Sequence, residues 1–169
     1  PTDTEPLTLS EDDPLMIESL SERDSLPAYN IRAWDLPKKL DFAGEDVPLE
    51  LSDVRERLDR ELLVNVYWQS NGLLLIKRAH KFFPIIEPIL NKYNVPNDFK
   101  YLALIESGLQ NVVSPSGAAG FWQFMKGTAK EYNLEMEDTV DERYHLEKAT
   151  EAACLYLIKA KSEMGNWTL

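Results

Sequence analysis

Cysteine is nearly absent from this sequence. The single Cys154 excludes an intramolecular disulfide and any cysteine-rich zinc site, and its neighbours Ala152, Ala153 and Leu157 mark it as a small core residue. Histidine is almost as scarce. His80 and His145 have no metal-ligand spacing, so each reads as a surface or capping residue, and no metal or other cofactor is expected. No apolar run approaches the ~20 residues a membrane-spanning helix needs, which predicts a soluble chain without a transmembrane segment. Basic side chains are in deficit: 18 Lys and Arg against 29 Asp and Glu give a net charge of -11 and a pI near 4.6. That balance argues against nucleic-acid binding led by phosphate contacts. The sequence starts at Pro1 with no basic stretch leading into an apolar segment, which reads as a processed or trimmed chain without a signal peptide.

What is present is one domain's worth of chain, 169 residues of which 44% are hydrophobic, enough for a core without staples. Charge divides it unevenly. Residues 1–46 carry 12 acidic and 4 basic side chains and five of the ten prolines, whereas 47–169 carry 17 and 14. We read 1–46 as an acidic, proline-containing tail or strap, with Leu15, Met16, Ile17, Ile31 and Trp34 as apolar anchors, and 47–169 as the folded domain.

Within that domain the periodicity is helical. Val54, Leu58 and Leu62 recur every four residues behind Ser52, a suitable cap. Gly72 interrupts, and Pro84 is expected to separate a helix over Leu73 to Phe83 from one over Pro84 to Tyr93. Trp68, Phe82 and Phe83 read as core. Asn97 is placed to cap a helix running to about Gln110, after which Asn111 to Gly120 is a loop. A short helical piece is expected at Phe121 to Met125, and another from Thr128 to Tyr132 after a break at Gly127. A last helix carries Ala149, Ala152, Ala153, Tyr156, Leu157, Ala160 and Met164 at 3.6 spacing up to Gly165. No strand alternates convincingly, so the class is all-α.

The chemistry concentrates near Glu106. At roughly 100° per residue, Leu102, Ala103 and Leu109 fall within about 80° of Phe99 and Glu106 within about 20°. Glu106 is therefore expected inside an apolar stripe, where lost hydration raises a carboxyl's pKa and makes it a general acid. Position on the helix fits a buried structural glutamate equally well. The following segment favours a site: Ser107 and Gly108 end the helix, and a glycine-containing loop returns Trp122 as a stacking face and Gln123 as an amide donor and acceptor.

These residues form two recognisable runs, Leu104-Ile105-Glu106-Ser107-Gly108 and Ser114-Pro115-Ser116-Gly117-Ala118-Ala119-Gly120-Phe121-Trp122-Gln123-Phe124-Met125. In that order and separation they resemble the Glu-Ser and Gly-Leu-Trp-Gln motifs of the lytic transglycosylases with the goose-lysozyme-like SLT domain. The resemblance extends from about residue 48 to 169. It implies a lysozyme-like helical fold and cleavage of the β-1,4 bond between N-acetylmuramic acid and N-acetylglucosamine in peptidoglycan glycan strands. The muramic acid's own C6 hydroxyl would attack, leaving a 1,6-anhydro end. Glu106 would be the single catalytic acid and base, consistent with one evident carboxylate where ordinary glycosidases use two. Ser107 would position Glu106 or the sugar, Trp122, Gln123 and Met125 would line the cleft, Ser116 and Gly120 would shape the loop, and Tyr156 would face the cleft. The substrate implies a periplasmic location in the bacterial cell envelope, with attachment to the outer membrane if a lipid anchor lies outside this sequence, where the resemblance also leaves room for glycan-binding repeats.

The family's later Ala-Tyr-Asn-Ala-Gly-like motif would follow Asn166-Trp167-Thr168-Leu169, where the sequence stops, so the resemblance implies a domain truncated at its C-terminal end with one wall of the site missing. Two alternatives stand beside the leading reading. A hydrolytic goose-type lysozyme would need a positioned water and usually a second carboxylate, for which Asp138 and Asp141 are the nominees. A catalytically silent glycan-binding module would not need Glu106 at all.

Overall fold

The computed structural model describes residues 32–167; the anchors expected at Leu15, Met16, Ile17 and Ile31 lie outside them. Five helices carry the described chain: α1 (Ser52–Tyr67), α2 (Gln69–Lys92), α3 (Lys100–Ser107), α4 (Lys126–Glu131) and α5 (Leu146–Met164), with 3-10 turns at Asn97–Phe99 and Glu142–Tyr144. Strand structure among the described residues is one hairpin, β1 (Asp41–Phe42) antiparallel to β2 (Glu45–Asp46), and three isolated bridges. The class is all-α, as the periodicity indicates.

α2 corrects the expectation of a break at Pro84. It runs through Gly72, Pro84 and Pro88 as one 24-residue helix. The two prolines are four residues apart and so share a face, and both are exposed. The carbonyls of His80 and Pro84, which lose their N–H partners, therefore sit on the side of the helix where water replaces them. The opposite face carries Ile86 and Leu90, both 0% exposed, with Phe82 and Phe83 packed beside them. That apolar face, laid against α5 and α3, offsets the proline cost of about 3 kcal/mol each.

α5 follows its sequence pattern closely. It starts at Leu146, where the His145 Nδ1 cap accepts from the Lys148 N–H at 3.5 Å, and stops at Gly165 with φ +89°. Its small buried residues, Ala149, Ala152, Ala153 and Cys154, leave room for α2 to approach. Burial pushes the Cys154 thiol up to about 12.

Several local expectations fail for identifiable reasons. Ser52 and Asn97 cap nothing: α1 is preceded by Leu51, and Asn97 opens a 3-10 turn without a side-chain cap bond. α3 ends at Ser107 rather than Gln110, because Gly108 (φ +60°) and Leu109 (φ +55°) both turn left-handed and send Leu109 into the core, 1% exposed. Phe121 to Met125 forms turns and a bridge, not a helix. α4 begins before Gly127, with Met125 rather than Thr128 at the N-cap. Trp68, read as core, is 56% exposed where α1 meets α2, since no α1 residue is buried against anything.

The two ends of the compact unit beginning at Trp34 are stapled together. Phe42 packs edge-on to Phe99 at 5.3 Å, and Phe99 meets Trp167 at 5.2 Å. The Trp167 N–H donates to both carboxylate oxygens of Glu45, at 2.8 and 3.0 Å, and the Ala43 N–H donates to Asp98 Oδ2 at 2.8 Å.

Candidate active site

Three elements meet around one cleft of about 240 Å³: the end of α3, the Gln123–Met125 segment leading into α4, and the middle of α5. α3 contributes Leu102 and Glu106, four residues apart on one face. The connecting loop contributes Trp122, Gln123, Phe124 and Met125, α4 contributes Thr128, and α5 contributes Ala153, Tyr156 and Leu157. Apolar walls with a few polar groups, here a carboxylate, an amide and two hydroxyls, suit a ligand with both apolar faces and hydroxyl edges, as a sugar has.

Glu106 is exposed, which corrects its expected burial. The buried ridge of α3 is Phe99, Ala103 and Ser107, and Glu106 lies about 60° from its middle. The error came from Leu109: counted as helical, it shifted the apolar stripe towards Glu106, but the left-handed turn at Gly108 takes it off the helix. Glu106 thus stands at the solvent-exposed rim of the cleft.

The loop behind the cleft has its own backbone logic. Ser114 O accepts from the Gly117 N–H at 2.9 Å, Gly120 N–H donates to Val112 O at 3.0 Å, and Ala119 N–H donates to Phe124 O at 3.0 Å. Gly120 (φ +78°) presses so closely on Arg143 that a Cβ there would lie 1.9 Å from the Arg143 carbonyl oxygen; only glycine fits. Gln123 holds the left-handed φ of +50°. Its Nε2 donates to Gly120 O at 2.8 Å and Val112 O at 3.1 Å. Both amide protons are thus committed to the loop, and what Gln123 offers the cleft is its carbonyl oxygen.

The structure brings Glu106, Trp122, Gln123, Met125 and Tyr156 together and leaves Ser107, Ser116 and Gly120 out of the lining. Ser107 is buried, and its Oγ bonds the Ala103 and Phe121 carbonyl oxygens at 3.0 and 2.9 Å, pinning the loop to α3. Ser116 is exposed, and Gly120 acts through its contact with Arg143. Trp122 is a wall more than a platform: it is 8% exposed, and its indole N–H donates to Thr150 Oγ1 at 2.9 Å. Met125 and Tyr156 are exposed, as Glu106 is, and Tyr156 stacks edge-on against Tyr132 and Phe124 at 5.6 and 6.4 Å.

Comparison with known families shows to which family the chain belongs. Residues 83–169, just over half of the chain, match the family model for the transglycosylase SLT domain. The chain belongs to that family. Its all-α fold is the lysozyme-like fold of an SLT domain. Among curated proteins it is similar to membrane-bound lytic murein transglycosylase D of Escherichia coli strain K12 and of E. coli O6:H1 strain CFT073. In each case identity is 26% over 134 residues, covering 76% of this chain and 28% of the relative. The chain therefore spans little more than a quarter of the length of the curated relatives it matches.

Reasoning from sequence overlooked Leu102, Phe124, Thr128, Ala153 and Leu157 as lining residues of this SLT domain. Three were within reach. Leu102 stands one turn before Glu106, Ala153 one turn before Tyr156, and Leu157 one turn after Ala153, so helical spacing links each to the face of a residue already singled out. The carboxylates nominated for a hydrolytic site are elsewhere. Asp141 is locked to Arg143, whose hydrogen bonds hold its carboxyl below the usual range, and Asp138 lines a separate surface with Lys126 and Lys130.

Proposed function

We propose that this SLT domain is a peptidoglycan lytic transglycosylase of the bacterial cell envelope. It would cut the β-1,4 bond between N-acetylmuramic acid and N-acetylglucosamine and leave a 1,6-anhydromuramic acid end. The observation that carries the reading is that Glu106 is the one carboxylate among the residues lining the cleft. A glycosidase that activates water ordinarily uses two carboxyl groups, one on each side of the bond. A route in which the sugar supplies its own nucleophile needs one.

In this mechanism the glycan lies over Leu102, Phe124 and Leu157 and displaces water from Glu106, which supplies the dry surroundings the rim position lacks. Protonated Glu106 gives its proton to the glycosidic oxygen as the bond to C1 breaks, and N-acetylglucosamine leaves with a hydroxyl. The resulting carboxylate takes the proton from the muramic acid's C6 hydroxyl, whose oxygen bonds to C1 and closes the anhydro ring. Glu106 ends protonated, as it began, and no water is consumed. The Gln123 carbonyl oxygen, Thr128 and Tyr156 hold the sugar hydroxyls and amide.

Mass spectrometry of the fragments released from purified peptidoglycan tests this. Anhydro-ended fragments are expected with the protein, and Glu106→Gln should lower their yield on the order of a thousandfold, within the range for loss of a general acid. Reducing-ended fragments would replace this reading with hydrolysis. A folded protein that releases nothing but binds glycan would make it a binding module.

A further inference from the structure

Trp122, Gln123 and Phe124 reach the cleft on a loop that has no helix and only isolated bridges, and one side chain outside the cleft holds that loop at both ends. Arg143 is 3% exposed. Its Nη1 donates to Gly117 O at 2.9 Å and to Phe124 O at 3.0 Å, seven residues apart across the neck of the loop. Its Nε and Nη2 donate to Asp141 Oδ1 and Oδ2 at 2.9 and 2.7 Å. Four of the five guanidinium protons are thereby used. The same residue's carbonyl oxygen is the surface against which Gly120 closes.

We propose that Arg143 is a positioning residue for the cleft: its guanidinium fixes the Gly117–Phe124 loop and so sets where Gln123 and Phe124 stand relative to Glu106. The effect on turnover rests on the transglycosylase reading above; the effect on the loop does not. Arg143 does not line the cleft, so it acts only through the loop. Gln123 needs such support, because a non-glycine residue at φ +50° persists only where its surroundings over-determine it. A lysine keeps the charge and can still meet Asp141, but a single ammonium cannot fork to two carbonyls and a carboxylate in this geometry.

Segment-resolved hydrogen exchange and steady-state kinetics on soluble peptidoglycan fragments, with wild type and Glu106→Gln as references, test Arg143→Lys. The expected result is faster exchange confined to residues 117–124, unchanged protection of α2 and α5, and a kcat lowered on the order of ten- to a hundredfold with a smaller change in KM, as for a site displaced by a distant change. Unchanged loop exchange overturns the proposal. So does exchange that rises equally through α2 and α5, or a loosened loop with kcat and KM unchanged. If Arg143→Lys does not fold, Asp141→Asn is read by the same criteria. If wild type releases no product, the transglycosylase reading falls, and the exchange pattern alone decides the role of Arg143.

Discussion

Residues 52–78 and residues 83–167 are both largely helical, yet they are held by different forces. α1 buries no side chain, and around its junction with α2 Leu63, Val64, Trp68, Leu73, Leu74 and Ile76 are all exposed. Among the described residues, every buried side chain lies at Ile86 or beyond. The family match begins at residue 83, almost where burial begins. The first region is helical because Glu, Arg and Leu are good helix formers; the second because its helices bury one another. Helicity therefore says little about which part of this chain forms a core. The cleft belongs wholly to the second region.

Paired substitutions would break or sharpen this contrast. The largest difference is expected between glycines. Gly120→Ala drives a Cβ into the Arg143 carbonyl oxygen at a left-handed φ and should cost more than about 4 kcal/mol. Gly72→Ala, inside α2 with nothing within 4 Å, should stabilise by about 0.5–1 kcal/mol. Urea denaturation measures both, and similar values would erase the distinction. Next comes leucine. Leu90→Ala removes a side chain with 0% exposure and should cost about 3 kcal/mol, whereas Leu73→Ala at 64% exposure should stay within about 0.5 kcal/mol. A large loss at Leu73 would show that its surface is covered in solution.

The smallest effect concerns pH. Hydrogen bonds from Arg143 lower the Asp141 pKa in the folded chain. A group with a lowered folded pKa stabilises above its unfolded value and loses that contribution as pH falls through the folded one. The stability gap between wild type and Asp141→Asn should thus be full at neutral pH and close at acid pH below the ordinary aspartate range. A gap that stays constant with pH would mean that Asp141 contributes shape and not charge.

Much of the fold was legible from local rules. α5, its stop at Gly165 and the small residues along it could be read residue by residue, because burial on one face leaves a period of 3.6 and a left-handed terminus selects glycine. The two motifs around Glu106 and Gln123 were legible for a related reason: loops with left-handed residues and close approaches need particular residues at particular places. The lining of the cleft was only partly legible, since nothing local marks Phe124 or Thr128 as lining residues until the facing elements are known.

The sequence alone thus determined the helical class, the long last helix, the family and five of the residues that meet in the cleft, Glu106, Trp122, Gln123, Met125 and Tyr156. Only the tertiary structure decided that Glu106 stands at a rim, that α2 passes unbroken through two prolines, and that Arg143 ties the loop from behind. Each of these depends on which face an element presents to a distant partner. Burial against that partner can outweigh a proline or redirect a helix phase, and the local spacing of residues carries no record of it.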